Sequence, residues 1–474
     1  MRRFALLLLA GALGAPALVA TLPAPLAGQG FGVYEHNTCA MGRAGVAAAR
    51  PCPDGSAIFF SPAGLAGLTG THISGGVTLI GAQGGFTDDF LGSRSDLKNP
   101  LIPVPNIYIT HAFSPKLTAG IGLYAPYGLQ TKWDSTNFSG RFLGYFTDVR
   151  SIYIQPTIGY HITPRLKFGI GVAYIHSTLK LRQRVDLSTR PLPGALDSAA
   201  GLPLGTTFAQ LGVPTGTDFA AAHLDASGTG FAVNFGGIWQ VTDKLSIGGH
   251  WLTRKQINYS GDATFTQVPT ALVLPVAVGA CPGPPPRCLP QGTPVDLLLG
   301  SQFGSGGPLA NGGVSTSIIM PPQGSLGFAY KADSQWTFMA DYQYVVWGWF
   351  NAVNITFANP ATPGITLNPQ NKDTHGFRFG TEYQYNSKVQ LRGGYLYHTG
   401  ASPTQFVTPL LPEGARNEVT IGAGIALNPH WHADLAYQYI RQNDRRGTVN
   451  LAIGNTGLYQ FSAHLFAAGV AITF

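Results

Sequence analysis

Hydrophobic and polar residues alternate one by one through many segments of the chain. In residues 377–385 the odd positions are mainly aromatic, whereas Arg378, Gly380 and Glu382 occupy even positions. The same alternation runs through residues 336–346, 389–398 and 431–439. A period of two is typical of β-strands that present one apolar face and one polar face.

These segments are longer than the strands of a soluble β-sandwich, which average about 5–6 residues. Strands that cross a membrane in a barrel need about 9–11 residues with an apolar outer face. Tyrosines cluster at segment ends, such as Tyr383 with Tyr385 and Tyr437 with Tyr439, as in an aromatic girdle at the membrane surface. The final strand alternates to the terminal Phe474, resembling the C-terminal signal of bacterial outer-membrane barrels. The sequence therefore predicts an all-β fold, a transmembrane antiparallel β-barrel.

The alternation predicts about fourteen strands, an even number as single-chain barrels require. Their predicted starts are Thr71, Val104, Leu117, Val149, Leu166, Gly230, Leu245, Thr316, Gln335, Thr374, Lys388, Glu418, His430 and Gln460. Short periplasmic turns are predicted at residues 163–164, 242–243, 386–387 and 428–429. Longer outer connections are predicted at residues 126–144, 186–227, 266–315, 358–372 and 400–417.

The composition agrees with a protein that has an apolar environment besides water. Only 11% of residues are charged, against about 25% in a typical soluble domain. The 62 glycines and 35 prolines disfavour a mainly helical protein. The formal net charge is +7, but the basic residues are spread thinly, so no nucleic-acid partner is predicted.

The first residues have the form of an export signal. Arg2 and Arg3 precede an apolar stretch, and small residues up to Ala27 offer cleavage points. We interpret residues 1–27 as a secretory signal peptide, since Pro16 and Pro23 disfavour the alternative of a membrane-anchoring helix. Residues 28–70 lack the strand pattern, and residues 71–474 form the predicted barrel. Because a lumen of this strand number is too wide for wall side chains to fill, residues 28–70 are predicted to plug it as a hatch.

Several motifs carry a resemblance to a known family. They are G-R-A-G-V-A at residues 42–47, D-G-S-A-I-F-F at 54–60, S-P-A-G-L at 61–65, P-Y-G at 126–128, V-R-S at 149–151 and L-R-G-G-Y at 391–395. Together with the C-terminal strand, they make the chain resemble FadL-type outer-membrane transporters (FadL/TodX) over nearly its whole mature length. One departure is the motif Ser61, Pro62, Ala63, where the family usually has Asn-Pro-Ala. A hydrogen-bonding role of that asparagine would pass to a shorter hydroxyl.

The resemblance implies passive uptake, in the bacterial outer membrane, of long-chain fatty acids or, as in TodX-like members, of aromatic hydrocarbons. It implies binding in the lumen, movement of the hatch, and exit sideways through an opening in the barrel wall beside a kinked strand. Phe31 matches an apolar residue that reaches into the binding pocket in family members. The implied partners are a hydrophobic ligand, outer-membrane lipid and lipopolysaccharide, around a monomer.

The two longest outer connections are rich in apolar residues, which is unusual for an open porin. They contain Leu192, Leu196, Leu202, Leu204, Phe208, Leu211 and Phe219, and Val268, Leu272, Val273, Leu274, Val276, Val278, Leu297, Leu298 and Leu299. We interpret them as a hydrophobic collecting surface. The alternative is a lid whose residues pack on one another.

Basic residues offer candidate contacts for an acid headgroup, because arginine pairs bidentately with a carboxylate. Arg378 and Arg392 lie on the inward face by parity. The alternative for each is an internal ion pair, such as Arg378 with Glu382 or Asp341. Lys180, Arg182 and Arg184 alternate with leucines near the top of a strand. A change of apolar parity there predicts a bulge, or exit from the membrane, around residues 176–178.

Four cysteines form two local pairs, Cys39 with Cys52 and Cys281 with Cys288, and export makes disulfides the favoured reading over metal binding. No metal site, cofactor or catalytic motif is predicted, and a pairing of His398 with Ser402 is too weak to indicate a hydrolase. Three functions compete. They are an importer of hydrophobic compounds, a nonspecific porin, and a structural or adhesive surface barrel.

Overall fold

A computed structural model describes residues 31–192, 202–203, 205–280, 287–450 and 455–474. The predicted signal peptide, residues 1–27, lies outside the described residues. The helices are α1 (Thr38–Met41), α2 (Ala57–Phe60), α3 (Val295–Leu298) and α4 (Gly300–Phe303), with 3-10 turns at Pro62–Gly67, Ser139–Phe142, Ala209–Leu211, Trp347–Trp349 and Thr404–Phe406. Among these described stretches, no helix is long and apolar enough to cross a membrane.

Strands make up most of the chain. They are β1 (Thr71–Asp88), β2 (Arg94–Asp96), β3 (Ile102–Ser114), β4 (Leu117–Lys132), β5 (Phe146–Thr163), β6 (Leu166–Val185), β7 (Ala220–Gln240), β8 (Leu245–Leu252), β9 (Lys255–Gln267), β10 (Val278–Ala280), β11 (Arg287–Leu289), β12 (Gly312–Met320), β13 (Gln323–Lys331), β14 (Trp336–Val345), β15 (Val353–Phe357), β16 (Ile365–Leu367), β17 (Thr374–Gln384), β18 (Val389–His398), β19 (Arg416–Ala426), β20 (Trp431–Gln442), β21 (Arg445–Asn450) and β22 (Asn455–Thr473).

Fourteen of these strands, counting β8 with β9 and β12 with β13 as single interrupted strands, form a closed antiparallel barrel. Each wall strand pairs with the next along the chain, and β7 pairs with β8 near the short turns and with β9 above them. The last strand closes the cylinder, because β22 pairs with β1 from His72 opposite Thr473 to Asp88 opposite Gly457. The predicted fold and strand number are confirmed.

The alternation of residues divides the two faces of the wall as predicted. Phe377 and Phe379 point outward and are 44% and 56% exposed, whereas Arg378 and Glu382 between and beside them are buried inside. The final strand does the same, with Phe466 exposed on the outside. A cylinder with an apolar outside and a polar inside places lipid around it and hydrated or plugged space within it.

Two details of the strand prediction are wrong, and a third point decides between two predicted alternatives. Strand β7 begins at Ala220 rather than near Gly230, and β4 continues to Lys132 rather than ending at Pro126. These strand tops stand above the lipid, where no apolar face is needed and the alternation fades. No bulge interrupts β6 at residues 176–178, since its register against β5 and β7 is continuous there. Of the two alternatives predicted there, the bulge is therefore wrong and the exit from the membrane remains.

The outer connections are packed rather than open. Phe208, Phe219, Leu274 and Leu299 are almost fully buried in one apolar cluster built from both long connections. Of the predicted collecting residues, Val273, Val276 and Leu297 are exposed, and Leu196 and Leu204 lie outside the described residues. The structure therefore favours the alternative, a lid, because these side chains bury one another against water.

Candidate functional site

The barrel wall has a window between β3 and β4. The two strands pair only from Ile107 opposite Leu123 down to the turn that joins them. Above this point residues 102–106 pair with β1 alone, while β4 continues upward from Tyr127 paired with β5. The window is therefore a stretch where two neighbouring strands leave their facing edges unpaired.

Prolines explain why these edges stay apart. Pro103 and Pro105 lie on the β3 side, and neither has a backbone N–H to donate to a neighbouring strand. The top of the window is closed by hydrogen bonds, since the Asn99 amide donates to the carbonyl of Gln130 at 2.7 Å. The amide N–H of Lys132 donates back to Asn99 at 2.7 Å. The window thus has a fixed upper and lower border.

The first described residues of the chain bind to β4 at the height of the window. The register of β4 against β5 shifts between Tyr124 and Tyr127, which is the irregularity expected of a kinked strand. At this shift the Val33 N–H donates to the carbonyl of Pro126 at 2.8 Å. The Gly128 N–H donates to the carbonyl of Phe31 at 3.0 Å. Residues 31–33 therefore cover the inner side of the kink as a short extra strand.

The Phe31 side chain points into an aromatic cluster inside the lumen. Its ring centroid lies 5.0 Å from Trp347, 5.4 Å from Phe350 and 6.0 Å from Tyr127, in edge-on arrangements. Phe31 is 5% exposed, so the cluster is closed to water in this conformation. The indole N–H of Trp347 is buried and has no hydrogen-bond partner among the residues that the structure describes.

A cavity of about 460 Å³ passes through the window. It is lined by outward-facing Leu101, Leu123 and Ile152 as well as by buried Tyr124 and Phe31. Residues of both faces can line one cavity only where the wall itself is open. The cavity therefore connects the lumen beside Phe31 with the lipid side of the barrel.

The inner end of the cavity is polar. Glu35, Glu413, Arg416 and Gln442 line it, so acidic and basic groups are mixed there. Burial, together with the nearby carboxyl of Glu418, raises the pKa of the Glu35 carboxyl. The carboxylate of a bound acid would meet Glu35 and Glu413 here as well as Arg416. This end of the cavity is therefore a poor binding site for an acid.

A buried lysine amine lies on the other side of Tyr127. Lys255 is 2% exposed, and its Nζ donates to the hydroxyl of Tyr127 at 3.0 Å and to the carbonyl of Pro321 at 3.1 Å. It also lies 4.3 Å from the centre of the Tyr127 ring. All these partners are neutral, and no carboxylate in the described part of the chain forms an ion pair with it. An uncompensated buried charge is costly, so a carboxylate placed beside this amine would stabilise its charged form and pair with it.

Arg378 and Arg392 face the lumen as predicted, but both are engaged within the protein. Arg378 donates to the carbonyl of Gly45 at 3.3 Å and also contacts Gln343. Arg392 pairs with Asp434. Both arginines therefore have internal partners, as in the bracing alternative: Arg378 meets Gln343 rather than Glu382 or Asp341, and Arg392 meets Asp434 and lies 3.9 Å from Glu382.

The other predicted basic residues lie away from the lumen. Lys180 is exposed, Arg182 pairs with Asp225 at 2.7 Å, and Arg184 lies 3.9 Å from Asp218. Because β6 keeps its register, the buried neighbours of these residues face inward and the three basic groups project from the outer surface above the membrane. None of them lines the cavity or meets Arg378.

Residues 31–67 pack inside the barrel and are held at two separate places on its wall. Arg43 pairs with Glu382 of β17 at 2.5 Å, and the N–H groups of Ala47 and Ala48 donate to Asp341 of β14 at 2.8 and 3.0 Å. These contacts attach residues 43–48 to one side. We call residues 31–67 the N-terminal segment.

Strands β6 and β7 hold the later part of the N-terminal segment. The side-chain amide of Asn234 donates to the carbonyls of Ile58 and Phe59 at 3.1 and 2.8 Å. Ser61 does not take over a hydrogen-bonding role, since its buried hydroxyl has no partner among the described residues. Pro62 and Ala63 instead lie directly on Gly169, where a β-carbon would fall 2.1 Å from the Pro62 backbone.

A disulfide joins Cys39 and Cys52 within the N-terminal segment. Asp54 lies close to both sulfurs, but sulfurs bonded to each other are not thiolate ligands, so the group is not a metal site. Cys288 is also disulfide-bonded, while Cys281 lies outside the described residues. The hydroxyl of Ser402 donates to Asn371 rather than to His398, which leaves no Ser-His dyad at this place.

Known proteins match this chain over most of its length. The family model described as outer membrane protein transport protein (OMPP1/FadL/TodX) matches residues 17–474. This chain belongs to that family. A long-chain fatty acid transport protein of Shigella flexneri is 21% identical over 447 residues, which cover 92% of this chain and 91% of the relative.

Solved structures agree on the fold of this family member. A Pseudomonas aeruginosa FadL homologue has a TM-score of 0.77 at 16% identity, covering 94% of this chain and all of that one. The Pseudomonas putida toluene transporter TodX has a TM-score of 0.66 at 17% identity, covering 94% and 99%. The chain is therefore an outer-membrane β-barrel of a family that transports hydrophobic compounds and consists of channels rather than enzymes.

Sequence reasoning missed Lys255 and the position of the window. Lys255 is the first residue of β9, directly after an interruption of the strand. At such a point the alternation of polar and apolar residues does not predict whether a side chain faces the lumen or the lipid. The prolines at 103 and 105 were a usable signal for an unpaired edge. The sequence does not indicate that this unpaired edge of β3 lies beside the kink of β4.

Proposed function

We propose that this family member takes up long-chain fatty acids passively, holds the carboxylate at Lys255, and releases the ligand sideways through the window between β3 and β4. The observation that carries the proposal is the buried amine of Lys255, which has only neutral partners among the described residues. The nearby indole N–H of Trp347, which is buried and unpartnered, supplies a second donor beside the aromatic cluster. The relative named for long-chain fatty acid transport supports the same ligand class.

The aromatic cluster supplies the place for the alkyl chain. Phe31 fills it in the present conformation, so a ligand entering from the outer side takes over the contacts of Phe31 with Trp347 and Phe350. Displacing Phe31 pulls on residues 31–33, which cover the kink of β4 beside the window. Ligand binding and uncovering of the window are thereby coupled through one short segment.

The experiment removes the charge of Lys255 and keeps its length. Lys255→Met should raise the dissociation constant for oleate about 10- to 100-fold, because a charge-assisted hydrogen bond contributes about 1.5–3 kcal/mol. Binding of toluene or hexadecane, which carry no charge, should stay within about twofold. The matched control is Lys180→Met, which removes an exposed lysine from the outer surface and should change neither ligand. Equal loss for oleate and for the hydrocarbons would contradict the carboxylate role.

A second ligand class, aromatic hydrocarbons, is favoured by one observation. The rings of Trp347, Phe350 and Tyr127 meet Phe31 edge-on, as they would meet a small aromatic ligand. Tighter binding of toluene than of oleate to the unmodified protein, unaffected by Lys255→Met, would select this class. A porin is the remaining alternative, and high ion conductance in planar bilayers would favour it.

A further inference from the structure

A second cavity opens at the periplasmic end of the barrel, away from the window. Its volume is about 240 Å³, and it lies between the N-terminal segment and the lower ends of β6, β7, β8 and β13. Its lining includes Arg50, Pro51 and Cys52 of the N-terminal segment and Lys167, Lys244 and Lys331 of the wall. At about 30 Å³ for each water molecule, it has room for a small ion with part of its hydration shell.

The charges around this cavity are mostly positive. Arg50, Lys167, Lys244 and Lys331 line it, and the single acidic residue in its lining is Asp243. Asp243 is 3.4 Å from Arg165, which lies outside the lining, so its charge is shared with another cation. Like charges gathered in one cleft repel one another and raise the local concentration of anions.

Two of these cations, Lys167 and Lys331, have neither an ion-pair partner nor a side-chain hydrogen bond among the described residues. Arg50, by contrast, lies 3.3 Å from Glu382, and the ammonium of Lys244 donates to the carbonyl of Ala332 at 2.9 Å. Two unpaired ammonium groups are therefore available to a ligand that enters the cavity.

The amine of Lys167 lies where it does because residue 67 is a glycine. Lys167 is half-buried, and a β-carbon on Gly67 would fall 2.7 Å from its Nζ. The ammonium therefore rests directly on the end of the Pro62–Gly67 turn, and a larger residue at position 67 would push it out. This close approach directs Lys167 into the cavity rather than into the periplasm.

We propose that this cavity is an anion-binding site for a carboxylate or phosphate group presented from the periplasmic side, with Lys167 and Lys331 as its principal contacts. Lysine ammonium groups bind phosphate and carboxylate oxygens through charge-assisted hydrogen bonds. The bound group neutralises the cations that otherwise face one another beneath the N-terminal segment. The site is separate from Lys255 and from the window.

The test uses the full chain in uncharged detergent micelles, with inorganic phosphate as the probe. Phosphate should saturate one site and slow the acetylation of Lys167 by an amine reagent, followed by mass spectrometry. Lys167→Gln with Lys331→Gln should raise the dissociation constant at least about tenfold. Lys116→Gln with Lys388→Gln removes two charges from periplasmic turns outside the cavity and should change it less than about twofold.

The two double variants separate a built site from a general effect of positive charge. Equal weakening by both, or phosphate binding that never saturates, would overturn the proposal, as would acetylation of Lys167 that phosphate leaves unchanged. Gly67→Val is a further check, because it should weaken phosphate binding while every lysine is retained. Heat-dependent gel mobility of the barrel verifies that each variant is folded.

A second arm identifies the source of the anionic group. The protein is placed in vesicles of phosphatidylcholine with or without phosphatidylglycerol, and no free phosphate is added. Slower acetylation of Lys167 with phosphatidylglycerol would assign the site to a lipid headgroup. Protection by free phosphate alone would assign it to a soluble anion. Protection by neither would refute the site.

Discussion

Replacing Phe31 with alanine should detach residues 31–33 from the barrel wall and leave the barrel itself intact. The ring is 5% exposed and contacts Tyr127, Trp347 and Phe350, so most of its surface is buried in the aromatic cluster. Truncating a buried phenylalanine costs about 3–5 kcal/mol. We expect the lower value of about 3 kcal/mol, because the ring lies beside an existing cavity.

The lost free energy is large compared with the other contacts that hold residues 31–33 to β4. Two backbone hydrogen bonds, from Val33 to Pro126 and from Gly128 to Phe31, remain in the variant, and each contributes about 0.5–1.5 kcal/mol. Because about 1.4 kcal/mol changes an equilibrium tenfold, the detached population should rise on the order of 100-fold. The rest of the N-terminal segment stays anchored through its own contacts.

Amide hydrogen exchange in micelles measures this population directly. Exchange of the Val33 and Gly128 amides should accelerate on the order of 100-fold in Phe31→Ala, while amides of β17 and β18 keep their rates. Phe86→Ala is the matched control, since Phe86 is equally buried but packs on Phe138 and Tyr459 among the outer connections. Unchanged exchange at Val33 in Phe31→Ala would refute the idea that this ring holds the strand.

Three further predictions concern the anchoring of the N-terminal segment. Arg43→Met leaves the Glu382 carboxylate buried without its main partner and should cost about 3 kcal/mol, measured as faster proteolysis of the N-terminal segment. Cys39→Ser with Cys52→Ser opens a loop of sequence separation 13 and should cost about 3 kcal/mol, with reductant having the same effect on the unmodified protein. Burial lowers the pKa of His36 from 6.5 to about 3. As the pH falls, His36 is therefore protonated in the detached segment before it is protonated in the anchored one. Anchoring should therefore be full above pH 6.5 and weaken by about 3 kcal/mol at pH 4, and His36→Gln should abolish that dependence.

The wall of this protein could be predicted from its sequence because the residue pattern within each strand determines which face is apolar. Phe377, Arg378 and Phe379 alternate, and every second side chain of a strand must point to the same face whatever its neighbours are. Turn residues such as Asn386 and Asn428 mark where the direction reverses. Strand count, lipid face and closure follow from these local patterns.

The site could be predicted only in part. Parity placed Arg378 and Arg392 inside the barrel, but parity says nothing about which groups they meet, and both are occupied by Gln343, Gly45 or Asp434. Lys180 has the same local pattern as a lumen residue, yet its strand has already left the membrane. Charge and alternation therefore identified basic residues. They did not show which of these residues stabilise the barrel through internal contacts and which are available to a ligand.

The sequence by itself determined a cylinder with an apolar outside, since that depends on residues two positions apart. Only the tertiary structure decided where the wall opens and which lysine is buried beside the lumen with neutral partners. Lys255 meets Tyr127 across 128 positions, and Arg43 meets Glu382 across 339. Such contacts arise from closure of the barrel around the N-terminal segment, and no local period along the chain encodes them.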